Sequence, residues 1–335
     1  MIDTKNKLNI AQMIASNGAG GAEKIFIDLC NELGKRHSVT AYTYNNPFIV
    51  NGLNESVRVC IIEQRSRFHF PHYLKLYKSF KEQSFDLIHT HSVKASVIVY
   101  YINKVLPFCH VATKHNSRKG KIFNKIKNVT AVSRRVSQSI AHPSKIIHNG
   151  INPQIIQKEP KLNSNKPFKL LSIGRLDPIK GFHLLIDSVS KLRIDYRLEI
   201  VGDGPQKSAL DLQIEDLGLQ KKVRLSGFQK NIAQKMSDSD LLIINSFSEG
   251  FSIVAIEALY YGNVLISTDV GGSDEILTEA FLFEQNELTE KIKSIYQSYS
   301  EYHEKFNIIQ RLKRENFLFS KTAEYYELLY QDLLR

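Results

Sequence analysis

The sequence has 335 residues, of which 42% are hydrophobic and 24% charged. This composition excludes disordered and fibrous proteins and allows two domains of ordinary size. The net charge of +11 is uneven, because residues 1–160 hold 23 Lys and Arg against 9 Asp and Glu, whereas residues 161–335 hold 22 against 25. The basic half predicts an anionic partner, which could be nucleic acid, a membrane surface or an acidic substrate.

The sequence has no pattern typical of secretion or of membrane insertion. The N-terminus lacks a cationic start followed by an unbroken apolar run, so no signal peptide is expected. The most apolar window, ASVIVYYINKVLPF, is broken by Asn103 and Lys104 and is too short to cross a bilayer. The three cysteines are widely spaced and fit no metal-binding pattern. We therefore expect a cytoplasmic protein with free thiols.

Short β-rich runs alternate with helical patterns along the whole chain. The strands predicted in the first half are LNIAQMI, SVTAYTY, VRVCII, DLIHTH, HVATK, NVTAVS and KIIH, with helices such as GAEKIFIDLCNELGK and HYLKLYKSFKEQ between them. The polar segment NPQIIQKEPKLNSNKP then predicts a linker. After it the predicted strands are FKLLSIG, YRLEIVG, KVRLSG, DLLIIN and NVLIST.

Such alternation is typical of parallel βαβ units. The sequence therefore predicts an α/β protein with two Rossmann-like, doubly wound parallel-sheet domains that face a central cleft. Ligands bind such sheets at the carboxyl ends of the strands. The last segment, FSKTAEYYELLYQDLLR, predicts a helix that packs through Tyr325, Leu328 and Leu329.

The first glycine-rich turn, SNGAGGAEK, follows the first predicted strand. Gly18, Gly20 and Gly21 permit a tight turn and close approach to a ligand. A dinucleotide fingerprint would need a further glycine at position 23, which is Glu23, so that interpretation fails.

Three histidines lie at predicted strand ends, where catalytic groups occur in such folds. His89 and His91 end DLIHTH, and His115 follows HVATK. A structural role is the alternative for each of them. Their spacing matches no zinc motif.

Two cations follow the first strand of the second half. Arg175 and Lys180, in GRLDPIKG, could clamp a diphosphate, or could belong to an ordinary solvated loop. The motif VGDGP, from Gly202 to Pro205, predicts a turn after the next strand.

Two glutamates stand in an apolar setting in SEGFSIVAIEALYYG. Glu249 lies in the loop after DLLIIN, and Glu257 lies within a helix that Ser252 should cap and Gly262 should end. Because that helix is otherwise apolar, we expect Glu257 to be buried and to need a partner. The partner could be a structural cation, or two adjacent ligand hydroxyls such as those of a ribose. The helix N-terminus would suit a phosphate.

Taken together, these motifs resemble those of the family-4 retaining glycosyltransferases of the GT-B fold. The resemblance runs from GAGGAEKIFIDL to the C-terminal helix, and its most specific element is the two glutamates with seven residues between them. Supporting motifs are GRLDPIKG, VGDGP, AVSRRV and HNGI. It implies an acceptor-binding domain at 1–155 plus about 319–335, and a domain at 165–318 that binds a nucleotide sugar, with a UDP-sugar as the expected co-substrate.

The resemblance also implies a role for each site residue. Glu257 would hold the ribose, Glu249 the transferred sugar, and Arg175 with Lys180 the diphosphate; His115 would lie beside the sugar and its departing oxygen. The expected remaining contacts to the nucleotide sugar are Gly250, Phe251, Ser252, Gly20, Gly21, Gly202 and Asp203, and those on the acceptor side are His91 and Asn116. No metal or other cofactor is expected, since the cations can neutralise the diphosphate and there is no Asp-x-Asp cluster. Asn245 and Asn263 stand where the family commonly has proline.

The expected activity is transfer of a hexose or N-acetylhexosamine, with retention, to a glycan or lipid-linked acceptor in surface polysaccharide assembly. In the basic half, Lys75, Lys78 and Lys81 with Tyr73, Tyr77 and Phe80, and a second patch with Phe123 and Ile126, could rest on the anionic inner face of the cytoplasmic membrane. A core-packing helix with a solvated face is the alternative. Other possible functions are a nucleotide-sugar epimerase or hydrolase, a non-catalytic nucleotide-sugar-binding protein, and a nucleic-acid-binding protein, for which we find no motif.

Overall fold

The computed structural model describes residues 7–66, 69–118, 120–156 and 167–335. The chain divides into two compact units, which we call the N-terminal unit (Met1–Gly150 with Phe319–Arg335) and the C-terminal unit (Ile151–Leu318). Most of the predicted linker, residues 157–166, lies outside the described residues.

The N-terminal unit contains a seven-stranded parallel sheet. Its strands are β1 (Asn9–Met13), β2 (Ser38–Thr43), β3 (Val57–Ile61), β4 (Leu87–Thr90), β5 (Cys109–Lys114), β6 (Asn128–Ala131) and β7 (Lys145–Ile146). Its helices before the C-terminal one are α1 (Gly21–Leu33), α2 (Pro47–Val50), α3 (Phe70–Gln83), α4 (Val93–Asn103) and α5 (Arg134–Gln138). The strand order is β3-β2-β1-β4-β5-β6-β7.

The C-terminal unit contains a six-stranded parallel sheet. Its strands are β8 (Phe168–Ile173), β9 (Tyr196–Val201), β10 (Val223–Leu225), β11 (Leu241–Ile244), β12 (Leu265–Thr268) and β13 (Leu282–Phe283). Its helices are α6 (Phe182–Ser190), α7 (Lys207–Asp216), α8 (Ile232–Asp238), α9 (Ile253–Tyr261), α10 (Ser273–Ile276), α11 (Leu288–Gln297) and α12 (Tyr299–Lys313). The strand order is β10-β9-β8-β11-β12-β13.

The helix α13 (Phe319–Leu334) ends the chain and belongs to the N-terminal unit. The predicted twelve strands are confirmed, and so is the prediction of an α/β protein with two parallel-sheet domains. Each sheet reverses its strand order once, between β1 and β4 in one unit and between β8 and β11 in the other. Loops at the carboxyl ends of two such strands diverge and leave a crevice.

Helix α3 packs on the sheet through the aromatic residues that were predicted to face a membrane. Phe80 is buried, and Tyr73 and Tyr77 pack against the core cluster that contains Tyr42 and Phe85. The prediction that these aromatic side chains face a membrane is therefore wrong for α3, because they fill the space between the helix and the sheet.

In the second basic patch, the same prediction is wrong for Phe123 and Ile126, which are buried at 2% and 3% exposure. The apolar side chains that α3 exposes are instead Phe70 and Leu74. No helix in the described part of the chain is long and apolar enough to span a bilayer.

The packing face of α13 also differs from the prediction. Tyr325 and Leu328 are about half exposed, at 51% and 48%. The buried face of the helix consists of Phe319, Thr322, Ala323, Tyr326, Glu327 and Tyr330. Four of these carry polar groups that find hydrogen-bond partners in the unit, namely Thr322, Tyr326, Glu327 and Tyr330, so a search for apolar side chains alone selects the wrong face.

Candidate functional site

The loops after β8 and β11 meet at the point where the C-terminal sheet reverses its order. Lys180, in the first loop, and Glu249, in the second, form an ion pair with 2.5 Å between Nζ and Oε1. The side chains are only 24% and 14% exposed. Ser246 donates a second hydrogen bond to the same carboxylate oxygen, at 2.7 Å. The structure thus brings together two of the predicted site residues that are 69 positions apart.

Two hydrogen bonds, one from a backbone N–H and one from a side chain, hold these two loops together. The N–H of Phe247 donates to the carbonyl of Ile179 at 2.8 Å, and the side chain of Asn245 donates to the carbonyl of Gly181 at 2.9 Å. Gly181 has a φ of +65°, and a Cβ there would overlap the carbonyl oxygen of Asn245. Asn245, which stands where the family commonly has proline, therefore helps to join the two site loops.

A third loop, after β12, supports Glu249 from another side. Gly271 has a φ of +64°, and a Cβ at this position would lie 2.7 Å from the backbone and Cβ of Glu249. Only glycine fits both the left-handed backbone and the close approach. The position of Glu249 is consequently determined by three neighbouring loops.

Arg175 has a different environment from Lys180. Its side chain is 71% exposed and pairs with Asp177. Asp177 also accepts a hydrogen bond from the N–H of Ile179 at 3.2 Å, so it caps the turn that carries Lys180. Of the two predicted cations, Lys180 is held in place by Glu249, whereas Arg175 projects into solvent.

The turn after β9 packs directly on the loop after β8. Gly202 has a φ of +141°, and a Cβ there would overlap the carbonyl oxygen of Gly174. The carbonyl of Asp203 accepts from the N–H of Leu176 at 2.9 Å, and its side chain accepts from the N–H of Gly204 at 2.7 Å. Gly202 and Asp203 thus support the loop of Arg175 and Lys180.

Helix α9 begins next to Glu249. Ser252 caps it as predicted, accepting from the N–H of Ala255 at 3.3 Å. Gly250 lies between Glu249 and this cap, while the ring of Phe251 is buried against Phe317 at 5.6 Å between centroids. The helix N–H groups therefore point into the same loop region as the ion pair.

Glu257 is only partly buried, so the prediction of full burial is wrong. One face of α9, formed by Ile253, Val254, Glu257 and Tyr260, remains partly open, whereas Ala255, Ile256, Ala258 and Leu259 are buried. The carboxylate is on that open face, one turn beyond the helix start. A ligand at the helix N-terminus could therefore extend to it.

In the N-terminal unit, Glu23, which stands where the dinucleotide fingerprint requires glycine, fixes the conformation of the glycine-rich turn. Glu23, which is 9% exposed, accepts hydrogen bonds from the N–H of Gly20 at 2.9 Å and from the hydroxyl of Ser16. It stands three residues after Gly20, at the position from which a glutamate can cap a helix. Gly20 and Gly21 are exposed at this start of α1.

The predicted histidines lie together in the N-terminal unit. His91 Nδ1 is 3.3 Å from His115 Nε2, and the rings of His89 and His91 are 4.1 Å apart. Burial lowers the pKa of His115 to about 4 and the pKa values of His89 and His91 well below 6.5. All three are therefore neutral near pH 7. Asn116 is exposed, and its side chain accepts from the N–H of Arg118 at 3.3 Å.

The described residues contain no group of three or more His, Cys, Asp and Glu side chains that could hold a metal. Several residues that contact the predicted ones were not themselves predicted. In the C-terminal unit Ser246 and Gly271 contact Glu249; in the N-terminal unit Glu23 contacts Gly20, Gln12 contacts His91 and Tyr330 contacts His89. Only Glu23 has a local signal, its spacing from Gly20. Ser246 is only three residues from Glu249, whereas Gly271, Gln12 and Tyr330 come from other parts of the chain than the residues they contact.

Two family models match the chain. Residues 19–155 match the model described as Glycosyltransferase Family 4, and residues 154–312 match the model described as Glycosyl transferases group 1. Together they account for both units, apart from the chain ends.

Named relatives match most of the chain at low identity. The N-acetyl-alpha-D-glucosaminyl L-malate synthase of Bacillus anthracis is 24% identical over 94% of this chain and 95% of its own. An alpha-1,4-N-acetyl-D-galactosaminyltransferase of Campylobacter jejuni, which acts on an undecaprenol-diphosphate-linked glycan, is 24% identical over 78% and 79%. HepE of Anabaena, solved with UDP-glucose, has a TM-score of 0.86 at 22% identity, covering 97% of this chain and 100% of HepE.

Proposed function

The chain belongs to the glycosyltransferases that the family 4 and group 1 models describe, and from this premise we propose that it transfers a hexose or N-acetylhexosamine from a UDP-sugar, with retention, to a hydroxyl of a glycan or lipid-linked acceptor. The pathway we propose is surface polysaccharide assembly. The observation that carries the proposal is the Lys180–Glu249 ion pair at the reversal point of the C-terminal sheet.

In this proposal the C-terminal unit binds the nucleotide sugar. Lys180 and Arg175 neutralise the diphosphate, together with the N-terminal N–H groups of α9 and the backbone of Gly250–Ser252. Glu257, on the open face of α9, accepts from the ribose hydroxyls, and Glu249 accepts from hydroxyls of the transferred sugar. The N-terminal unit binds the acceptor through the region of His91 and Asn116, whereas Gly20, Gly21 and His115 contact the nucleotide sugar.

The ion pair shows how the two side chains avoid an uncompensated charge. Without ligand, Lys180 and Glu249 neutralise each other in a partly buried position. A diphosphate would attract Lys180, and sugar hydroxyls would then donate to the released carboxylate. Binding of the whole nucleotide sugar therefore satisfies both side chains, whereas a diphosphate alone leaves Glu249 without its cation.

The proposed reaction breaks the bond between the anomeric carbon and the diphosphate oxygen and forms a bond from that carbon to the acceptor oxygen. The acceptor proton goes to the departing diphosphate. Negative charge grows on the diphosphate as the bond breaks, so Lys180, Arg175 and the α9 N-terminus act where charge develops. Because these groups can balance the charge, we propose that transfer needs no metal ion.

The choice of UDP rests on a fold-level likeness to HepE, which was solved with UDP-glucose. The choice of acceptor rests on two relatives of different kinds, since one is named for L-malate and the other for an undecaprenol-linked glycan. We favour the lipid-linked class because the sequence has 12 Lys and Arg and no acidic residue between Asp86 and Glu159.

Calorimetric titration with UDP, GDP and ADP in EDTA tests the nucleotide site. We expect UDP to bind to the wild-type protein and to bind at least tenfold more weakly to Glu257→Ala, while Glu301→Ala, an exposed glutamate on α12, binds as the wild type does. Equal affinity for the three nucleotides, or unchanged UDP affinity in Glu257→Ala, would contradict the proposed site.

Transfer itself is tested by incubating UDP-sugars with and without candidate acceptors and analysing the products by NMR. An α-linked product from an α-linked UDP-sugar would establish retention. Consumption of the UDP-sugar without acceptor would instead favour the epimerase or hydrolase, and binding without any turnover would favour the non-catalytic protein.

We also propose that the N-terminal unit contacts an anionic membrane through α3. Its exposed face combines Phe70 and Leu74 with Lys75, Lys78 and Lys81, which is the composition of a helix that lies on anionic lipid. Sedimentation with vesicles of anionic or neutral lipid tests this, at low and high salt.

We expect binding to anionic vesicles at low salt, and a loss of most of it in the Phe70→Ser/Leu74→Ser variant. The control Leu212→Ser removes an exposed leucine from α7 of the C-terminal unit and should bind normally. Absence of binding at low salt would reject the membrane contact without affecting the proposed transfer reaction.

A further inference from the structure

A chain of hydrogen-bonded polar side chains runs through the interior of the N-terminal unit, starting at His115. In spatial order its members are His115, His91, Gln12, Tyr330, His89 and Thr113, and it ends at Thr130 and Tyr326. Except for His115, which is partly exposed, each of them is at most 2% exposed. Buried polar groups of this number are costly unless every donor meets an acceptor.

The amide of Gln12 gives the chain a direction. Its oxygen, which can only accept, lies 2.8 Å from His91 Nε2, and its nitrogen, which can only donate, lies 3.1 Å from the hydroxyl of Tyr330. His91 must therefore carry its proton on Nε2.

The protonation of His91 determines which ring donates in its hydrogen bond with His115. A neutral imidazole has one N–H, so His91 Nδ1 is an acceptor once Nε2 is protonated. The facing nitrogen is His115 Nε2, at 3.3 Å, and it must be the donor of that bond. The neutral ring of His115 then carries no proton on Nδ1.

The other end of the chain is consistent with the same direction. Tyr330 accepts from Gln12, so its own proton is donated to His89 Nδ1 at 2.6 Å. His89 consequently carries its proton on Nε2 and donates to Thr113 at 2.7 Å. The hydroxyl of Thr113 is left to donate to Thr130 at 2.6 Å or to Tyr326 at 2.9 Å.

We propose that Gln12 and Tyr330 are positioning residues that hold His115 as the Nε2–H tautomer, leaving Nδ1 as the acceptor for a sugar hydroxyl. The tautomer follows from the hydrogen bonds alone, whereas the hydroxyl as its partner rests on the proposed function. Tyr330 is on α13, so the helix that ends the chain sets the protonation of a ring on the loop after β5.

NMR of histidine side-chain nitrogens tests the tautomer directly on the full chain at pH 7. Two-bond proton–nitrogen correlations distinguish a protonated ring nitrogen from a bare one, and the His115 signals are assigned by their loss in His115→Asn. We expect protonated Nε2 and bare Nδ1 in the wild type without any ligand. A wild-type His115 protonated on Nδ1, or a mixture of the tautomers, would overturn the proposal.

Two tyrosines of α13 offer a matched pair of variants. Tyr330→Phe removes the acceptor that orients the Gln12 amide, so both tautomers of His115 should become populated. Tyr326→Phe removes an equally buried hydroxyl from the same helix, but beyond Thr113, and should leave His115 unchanged. Identical His115 spectra in the two variants would reject the role of Tyr330.

Circular dichroism and urea unfolding establish that both variants fold. If Tyr330→Phe does not fold, Gln12→Met serves in its place, since it removes the amide at similar length, and the same mixture is expected. The wild-type spectrum decides the tautomer in either case.

Kinetics then connect the tautomer to the reaction. If only the Nε2–H form accepts the sugar hydroxyl, kcat falls in proportion to the fraction of that form, about twofold when the two tautomers are equally populated. If a variant with mixed His115 tautomers has the kcat of the wild type, the tautomer does not affect catalysis. Failure of the protein to transfer any sugar would reject the proposed function and leave the NMR result standing.

Discussion

Lys180 and Glu249 neutralise each other across the reversal point of the C-terminal sheet, with 2.5 Å between Nζ and Oε1. Neither side chain could be left alone there without cost, because each is less than a quarter exposed. The same two charges are those that we propose to bind the nucleotide sugar. The proposed ligand must therefore replace this ion pair.

A double-mutant cycle measures this interaction in the free protein. We expect Lys180→Met and Glu249→Gln each to lower the free energy of unfolding by ~1 kcal/mol. The double variant should lose less than the sum, with a coupling of ~0.5 kcal/mol or more by urea denaturation. The exposed pair Lys305–Glu301 on α12 is the control and should show little coupling. Additive losses at Lys180 and Glu249 would mean that the pair is not formed in solution.

Two glycines with the same backbone conformation allow the cost of a left-handed alanine to be measured apart from the cost of a clash between loops. Gly181 and Gly218 both have a φ of +65°, but a Cβ at Gly181 would overlap the carbonyl of Asn245, whereas a Cβ at Gly218 would meet nothing within 4 Å. Gly218→Ala should therefore cost only the left-handed penalty, about 1–2 kcal/mol.

Gly181→Ala should cost more than Gly218→Ala in the free energy of unfolding, and it should also weaken UDP binding at least tenfold, because the loops of Lys180 and Glu249 must separate. Urea denaturation and calorimetry measure the two effects. Equal losses of stability in the two variants would show that the loops are not held together at Gly181.

The sequence predicts the sheets well because their strands are short apolar runs between turn residues, and parallel sheets covered on both faces require such runs. It does not predict β13, which directly follows the 3-10 turn Glu279–Phe281, whereas the equally short β7 stands in the β-rich run KIIH. The site is predicted at the level of its loops, because carboxyl ends of strands follow from the order of elements. The contact of Lys180 with Glu249 depends on how two loops 69 residues apart fold against each other, and local pattern carries no such information.

The buried polar residues of the N-terminal unit are the hardest part of the structure to predict from the sequence. In the sequence, Gln12 is a polar residue within an apolar strand, and Tyr330 is one of several aromatic residues of α13. Their partners come from other strands, so neither has a local signal. The same reason explains why Tyr325 and Leu328 were expected on the packing face in place of Tyr326 and Glu327.

Glu327 anchors α13 to the turn between α1 and β2. Its carboxylate is 3.0 Å from Arg36 Nε and 3.2 Å from His37 Nε2, and its side chain is 9% exposed. Glu327→Ala leaves both partners without an acceptor, and we expect the free energy of unfolding to fall by ~2 kcal/mol. Glu324→Ala, at an exposed position of the same helix, is the control in the same urea titration. Equal stability of the two variants would show that this carboxylate does not anchor the helix.

Buried histidines predict a loss of stability in mild acid. Burial lowers the pKa of His110 to about 3 and that of His115 to about 4, and it lowers the pKa values of His89 and His91 well below 6.5. In the unfolded chain a histidine binds its proton near pH 6.5. As pH falls from 6.5 towards 4, the unfolded state therefore takes up protons that the folded state does not, and the folded state is disfavoured.

Urea unfolding at pH 7 and pH 5 measures this effect. We expect each fully buried histidine to lower the free energy of unfolding by ~2 kcal/mol between these two pH values. His110→Gln isolates one contribution, because His110 is 4% exposed and its ring bonds to Thr90, which is not a member of the hydrogen-bonded chain that starts at His115. We expect the loss of stability between pH 7 and pH 5 to be smaller by ~2 kcal/mol in this variant than in the wild type. The same loss in both proteins would mean that His110 takes up its proton in the folded state, and the burial argument for this unit would then be wrong.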